Sequence, residues 1–295
     1  MNYKIYQDGK EVTGKMPFAL MRTEAVGIFE SMRAYGGKVL HVEEHLSRLL
    51  ESARTVGYKP FPDAAKLRRE MRAAFKASGE RECYVRLTLW EGSTFVILGS
   101  REHSKELYEK GVALKMASFP RGGPNTFPWQ AKASVYQQAI LATTEPHPDK
   151  IYEWIFLEQG GGLTETRVGN FFIVKYRSAP RRCETVHPRG VKRGEAILLT
   201  PPEHLILNGV TRKIVINCAL ALGMKVREVP LTRHEFFNAD EAFLCNTSWE
   251  VLPVRELDGR AIGNGKPGPV TLKLHRFFKR RIQHDVTSYR SPRAH

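Results

Sequence analysis

Ten residues near the middle of the chain, Phe119-Pro-Arg-Gly-Gly-Pro-Asn-Thr-Phe-Pro128, hold three prolines and two glycines. Proline removes a backbone donor and fixes φ, while glycine eases irregular backbone, so such a segment interrupts helices and central strands. It divides the chain into two parts, and 295 residues are enough for each to bury a core. The expected organisation is an N-terminal α/β domain over residues 1–118, a connecting loop over 119–128, and a larger α/β domain over 129–284. The polar residues 285–295 are expected to lack structure.

Local patterns agree with an α/β class. YKIYQ and EVTG flank Asp8-Gly9, and 27–35 and 38–42 flank Gly36-Gly37. Both pairs of glycine-containing residues suit two-residue hairpin turns. From Glu43 the apolar residues Leu46, Leu49, Leu50 and Ala53 fall on one helical face, and a second helix is expected from Asp63 to about Ser78. CYVRLTLW, STFVILGS and VALKMAS read as strands that complete the first unit. In the second, a helix is expected after Lys132, strands at 152–158 and 169–175 around Gly160-Gly161-Gly162, and a helix over 211–222 closed by Gly223. Thr232-x-x-Glu235 reads as a capping box. Strands are expected on both sides of Asn246-Thr247-Ser248, and a last helix over about 270–282. Residues 177–195 show no period and are expected to form an exposed loop or hairpin.

Lysine and arginine total 46 against 31 acidic residues, a formal charge of +15. Such an excess favours polyanions in general, but much of it is spread along the chain, and no basic helix with interleaved aromatics marks a nucleic-acid module. No apolar run reaches the ~18 residues of a membrane helix, and MNYKIYQDGKEV lacks the apolar core of a secretory signal. Cys83, Cys183, Cys218 and Cys245 form no CxxC pair. That spacing suits reduced thiols in the cytoplasm rather than a disulfide framework or a cysteine-rich zinc site.

Two familiar patterns fail on their surroundings. His41-Val-Glu-Glu44-His45 fits a zinc-protease signature, but His41 falls at a strand end before the helix begins, so no metal site is expected. Its acidic residues instead suit a helix N-terminus. Gly263-Asn-Gly265-Lys266 lacks the earlier glycine and the following Ser/Thr of a phosphate loop, and it reads as a turn.

The informative signal is distributed. GIFESMRAYGGKVLHVEEHLSRLLESA (27–53), WQAKASVYQQAILA (129–142), GLTETRVGNFFIV (162–174), LTPPEHLILNGVTR (199–212) and EAFLCNTSWEVLPV (241–254) occur in this order. Together they resemble the class IV pyridoxal-phosphate enzymes, which include branched-chain aminotransferases, D-amino-acid aminotransferases and aminodeoxychorismate lyase. The resemblance implies a fold-type IV α/β architecture, a homodimer and pyridoxal 5'-phosphate as cofactor. It further implies transfer of an amino group between an amino acid and a 2-keto acid. The segments 118–121 and 124–132 look closest to the branched-chain enzymes, which suggests a branched-chain L-amino acid with 2-oxoglutarate. D-amino-acid transamination and lyase chemistry are the alternatives, and a nucleic-acid-binding protein on the same scaffold is the rival of a different class.

Residue by residue, Lys132 matches the lysine that carries the cofactor and moves the proton. Glu165 matches the carboxylate that faces the pyridine nitrogen. Arg48 matches the phosphate arginine, whose planar fork suits a phosphate. Val210 and Thr211 open a helix after Gly209, where backbone N–H groups and the helix dipole favour an anion, and Thr247 should add a hydroxyl. Phe29, Tyr84, Arg86 and Ser248 match substrate-lining positions, and Arg121 precedes the connecting loop where the family often has arginine. Val135-Tyr136 departs from the Gly-Asn-Tyr of the branched-chain enzymes, which leaves open the role of Tyr136. Trp249 is bulkier than the family's usual residue and is expected to narrow the substrate pocket.

Overall fold

A computed structural model describes residues 3–12, 26–100, 102–121, 128–134, 137–147, 150–176 and 196–288. The chain forms two compact units, one of residues 1–103, 124–140 and 279–295, the other of 104–123 and 141–278. Tyr136, the segment 177–195 and residues 289–295 lie outside the described residues.

In the first unit the two expected hairpins are present, as β1 (Tyr3–Gln7) with β2 (Lys10–Glu11) and β3 (Ile28–Tyr35) with β4 (Lys38–Val39). With β5 (Cys83–Trp90) and β6 (Ser93–Gly99) they build a six-stranded antiparallel sheet in the order β2-β1-β6-β5-β3-β4. The period of two sorts its faces. Ile28, Met32 and Ala34 of β3, Val85 and Leu87 of β5, and Val96 and Leu98 of β6 are buried in one core with Leu46, Leu49 and Ala53 of helix α1 (Val42–Thr55) and Leu67 and Met71 of helix α2 (Ala64–Ser78). The opposite face carries Phe29, Ser31 and Arg33, which pair in register with Thr88, Arg86 and Tyr84. That face is where the candidate substrate residues fall. Asp63 caps α2 by accepting from the Ala65 N–H at 2.8 Å.

The second unit holds a nine-stranded sheet. Its strands are β7 (Val112–Met116), β8 (Ile151–Leu157), β9 (Leu163–Thr166), β10 (Asn170–Tyr176), β11 (Ala196–Thr200), β12 (Lys225–Glu228), β13 (Glu241–Asn246), β14 (Glu250–Leu257) and β15 (Arg260–Ala261). The order is β12-β11-β10-β13-β14-β7-β8-β9, with β15 beside β14. Helices α3 (Lys105–Lys110), α5 (Val210–Ala221) and α6 (Arg233–Phe237) belong to this unit, and α4 (Gln137–Thr144) and α7 (Pro269–Ser288) complete the helices described. The Thr232–Glu235 capping box forms as expected, and Gly223 takes a left-handed φ of 75° just beyond α5.

Three details differ from the sequence reading. Strand β7, assigned there to residues 1–118 as part of the first domain, pairs in parallel with β14 and β8 of the second sheet. Val112, Ala113, Leu114 and Met116 are all buried; a strand apolar on both faces suits the interior of a covered sheet. Helix α4 starts at Gln137 rather than directly after Lys132, because the backbone of 132–134 is captured by β3: Ile28 bridges Ala133, and the Ser134 N–H donates to Gly27 O at 2.7 Å. Helix α7 continues through Ser288, so the start of the supposed tail is helical. Among the described residues no helix is long and apolar enough to cross a membrane.

Candidate active site

Within the first unit, Lys132 is fixed by its backbone. Its N–H donates to Ser52 Oγ of α1 at 2.9 Å, and its carbonyl accepts from the Phe29 N–H of β3 at 3.1 Å. Ser52 Oγ in turn donates to the Arg48 carbonyl at 2.9 Å. The lysine is therefore tied to the same helical turn that carries Arg48. Its Nζ lies 4.8 Å from the centre of the Phe29 ring, and the Arg86 guanidinium lies 3.8 Å from the same centre. Such contacts between a cation and a ring face are attractive. Tyr84 shares its hydroxyl with Ser31 Oγ at 2.7 Å, and Arg86 Nε donates to Thr88 Oγ1 at 3.2 Å. Lys132, Phe29, Tyr84 and Arg86, named separately from the sequence, thus belong to one surface of β3 and β5.

Arg48 is aimed from behind by Glu30. Its Nε and Nη2 donate to the two Glu30 oxygens at 2.7 and 2.6 Å, and His45 Nδ1 lies 2.7 Å from Oε2. Burial pushes the Glu30 carboxyl upward, but the Arg48 charge and hydrogen bonds, joined by those of His45, overcome it and hold the group at about 2. His45 is held below its ordinary value, first by burial and against the pull of Glu30. His45 is thus occupied by Glu30, while His41 sits at the helix start in the left-handed region with φ 56°. Sequence reasoning missed Glu30, although the signal was present. In β3 it is a carboxylate on the apolar, helix-facing side of the strand, between Ile28 and Met32.

Within the second unit, Glu165 is 5% exposed at the end region of β9. Arg121 Nη1 donates to its Oε1, while Asn170 Nδ2 at 3.0 Å and the Leu207 N–H at 3.2 Å donate to Oε2. Asn170 Nδ2 also reaches the Leu207 carbonyl at 3.0 Å. This fastens Glu165 to the segment that leads into α5. Arg121 acquires a definite role as partner of Glu165, and Asn170 is a residue the sequence did not single out.

Helix α5 begins at Val210 and Thr211 after an extended Gly209 that supplies no capping side chain. A Cβ at Gly209 would collide with Asn170 Oδ1, which explains the glycine. Thr211 Oγ1 and Thr247 Oγ1 are 3.5 Å apart. Thr247 and Ser248 lie in the β13–β14 turn, where Asn246 Oδ1 accepts from the N–H groups of Ser248 and Trp249 at 2.9 and 2.7 Å. Val210, Thr211 and Thr247 are thereby gathered at one helix start. Trp249 is directed into the core: it is 7% exposed, its ring centre is 5.5 Å from that of Tyr152, and it closes to 3.1 Å on the space a Cβ of Gly169 would fill. Its bulk is accommodated by a glycine.

A family model described as amino-transferase class IV matches residues 27–257. A putative branched-chain-amino-acid aminotransferase of Methanocaldococcus jannaschii is 30% identical over 297 residues, covering 94% of this chain and 95% of the relative. The branched-chain-amino-acid aminotransferase of Escherichia coli K12 is 29% identical over 273 residues, covering 85% and 82%. Among solved structures, a T.th. branched-chain amino acid aminotransferase with pyridoxamine 5'-phosphate superposes with a TM-score of 0.80 at 25% identity over 95% of this chain and 94% of that one. A branched-chain aminotransferase from Thermoproteus uzoniensis with norvaline gives 0.77 at 29% identity over 95% of each. With a matching family model over most of its length and a relative at 30% identity along nearly all of it, the chain belongs to the class IV aminotransferases.

Proposed function

We propose that the chain is a pyridoxal-phosphate-dependent transaminase that moves an amino group from a branched-chain L-amino acid to a 2-keto acid such as 2-oxoglutarate. The observation that carries this reading is the pinning of Lys132, through Ser52, to the turn of α1 that holds Arg48. The relatives named above support the branched-chain choice over D-amino-acid transamination, lyase chemistry or nucleic-acid binding. A homodimer and a cytoplasmic location complete the proposal. For the latter, Cys83 and Cys245 are buried free thiols, as expected of a reducing compartment.

The residues present fit pyridoxal phosphate. A carboxylate has about four acceptor sites, and Glu165 uses three of them on Arg121, Asn170 and Leu207. One remains for a protonated ring nitrogen. The uncapped start of α5, with Thr211 and Thr247 beside it, fits a phosphate, and the family resemblance assigns Arg48 to phosphate as well. When bound, this cofactor supplies an aldehyde that condenses with amines and a ring that accepts electron density from the adjacent carbon. The chain supplies the rest. Lys132 Nζ takes the proton from the substrate carbon and returns it, and Glu165 keeps the ring nitrogen protonated. Phe29, Tyr84 and Arg86 orient the substrate side chain, and Ser248 receives the substrate carboxylate.

The test is an absorbance spectrum followed by a panel of amino acids. The protein should show a band near about 400 nm that a branched-chain amino acid shifts toward the ultraviolet. Lys132→Ala should keep the fold and lose about a thousandfold or more in turnover. Full activity in that variant would end the proposal. Pyruvate release without a keto-acid acceptor would point to the lyase, and product chirality separates the L from the D reaction.

A further inference from the structure

The turn that carries Thr247 and Ser248 is held from several directions at once. Asn246 Oδ1 accepts the Ser248 and Trp249 N–H groups, while its Nδ2 donates to the Val168 carbonyl at 3.2 Å. The Trp249 carbonyl accepts from the Tyr108 hydroxyl of α3 at 3.0 Å. The next residue, Glu250, is buried and left-handed, with φ 62°. A side chain with a Cβ persists there only where its surroundings over-determine the backbone. His275 of α7 supplies part of that constraint. Its Nε2 lies 3.1 Å from Glu250 Oε2, and its ring stacks on Tyr108 with centres 5.1 Å apart at 20°. One histidine therefore touches both the carboxylate that follows the turn and the ring whose hydroxyl holds the turn's carbonyl.

We propose that His275 is a positioning residue for cofactor binding. It fixes Glu250 and Tyr108, and through them it fixes the Thr247–Ser248 backbone in the geometry that meets an anion. The inference rests on the reading of Thr247 as a phosphate ligand. A turn that presents a hydroxyl and N–H groups to phosphate gains from being ordered before binding, because the ordering cost is then already met by folding. His275 does not itself touch the cofactor in this scheme. Its effect passes through two neighbours to a turn, so it should alter binding of the phosphate-bearing group rather than proton transfer at Lys132.

The experiment measures the affinity of the apoprotein for pyridoxal phosphate, with inorganic phosphate as competitor, in His275→Ala, His275→Gln, Tyr108→Phe and Thr247→Ala. Thr247→Ala should weaken binding and so validate the ligand on which the inference rests. His275→Ala should weaken it about tenfold and Tyr108→Phe about threefold, and both should weaken competition by phosphate. His275→Gln keeps a neutral donor toward Glu250 and should recover most of the loss. The double variant Thr247→Ala/His275→Ala should bind no worse than Thr247→Ala within about twofold, since the two act on one contact. Affinity within twofold of the unmodified protein in His275→Ala, while Thr247→Ala is weakened, overturns the inference and leaves the function standing. No effect of Thr247→Ala removes the phosphate role itself, and the inference with it. If His275→Ala does not fold, Tyr108→Phe decides: unchanged affinity overturns the proposal and a loss supports it.

Discussion

Among the described residues two carboxylates are completely buried, Glu30 on β3 and Glu153 on β8, and each is paired with an arginine. Their environments have opposite consequences. Glu30 receives two donors from Arg48 and a third contact from His45, and it sits at about 2. Glu153 uses Oε1, which accepts from Arg167 Nε at 2.8 Å and the Trp154 N–H at 3.1 Å, while its buried Oε2 has no hydrogen-bond partner among the described residues. Burial dominates there, the Arg167 charge offsets it incompletely, and the group rises to about 6. The lesson is that an arginine nearby does not by itself pull a buried carboxylate below its ordinary pKa. Occupation of both oxygens does, and it occurs at the carboxylate that aims a proposed phosphate ligand.

The sharpest way to break this contrast is to remove Arg48. Arg48→Ala leaves Glu30 with the His45 contact alone, and it should cost about 3–5 kcal/mol in denaturant unfolding, besides weakening cofactor binding. A loss below about 1 kcal/mol would mean that Glu30 does not depend on its fork. Glu30→Gln, which keeps the shape but gives up the charge between Arg48 and His45, should cost somewhat less, about 3 kcal/mol.

These contrasts show what the sequence could reveal. Hairpins, amphipathic helices and the caps of α2 and α6 depend on neighbours a few residues apart, and Asp8-Gly9, Asp63 and Thr232-x-x-Glu235 announce them. Candidate ligands such as Lys132, Arg48 and Thr211 were legible because they recur in ordered blocks. Their supports were not. Glu30 meets Arg48 across 18 positions, Arg121 meets Glu165 across 44, and Ser52 meets Lys132 across 80. No period of 2 or 3.6 carries that information. Trp249 shows the same limit from the other side: its size drew attention to the pocket, yet a distant glycine, Gly169, makes room for it in the core.

A middle-sized effect should appear as a difference in pH response. Glu30 is lower in the fold than its ordinary 4.5, so its contribution is present above about 4.5 and is lost as pH falls toward 2. Glu153 is raised from 4.5 to about 6, so its contribution is present below about 4.5 and is lost as pH rises through 6. The stability difference between the unmodified protein and Glu153→Gln should therefore fall by about 2 kcal/mol in all from well below pH 4.5 to well above pH 6, about 1.3 kcal/mol of it between pH 4.5 and 6. The difference for Glu30→Gln should stay flat in that window. Arg167→Ala should cost only about 1–2 kcal/mol at pH 7, because Glu153 can respond to the loss by taking a proton. A cost matching that of Arg48→Ala would put the two pairs in one class.

The smallest effect belongs to Glu153→Gln at pH 7.5. There the carboxylate is ionised although buried, so the amide removes a charge that the fold accommodates poorly. Its oxygen can keep accepting from Arg167 Nε and the Trp154 N–H, and Arg167, whose side chain is 28% exposed, can complete its solvation with water. Against this, the amide places a donor where Oε2 has no partner, and an unmatched buried donor costs about 1–3 kcal/mol. The two contributions oppose each other, and the net change in unfolding free energy should stay within about 1 kcal/mol. Parity at Glu153 beside a large loss at Glu30 is the result that the count of occupied oxygens requires. A loss of about 3 kcal/mol at both would instead make burial with any arginine sufficient, and the distinction between the two sites would dissolve.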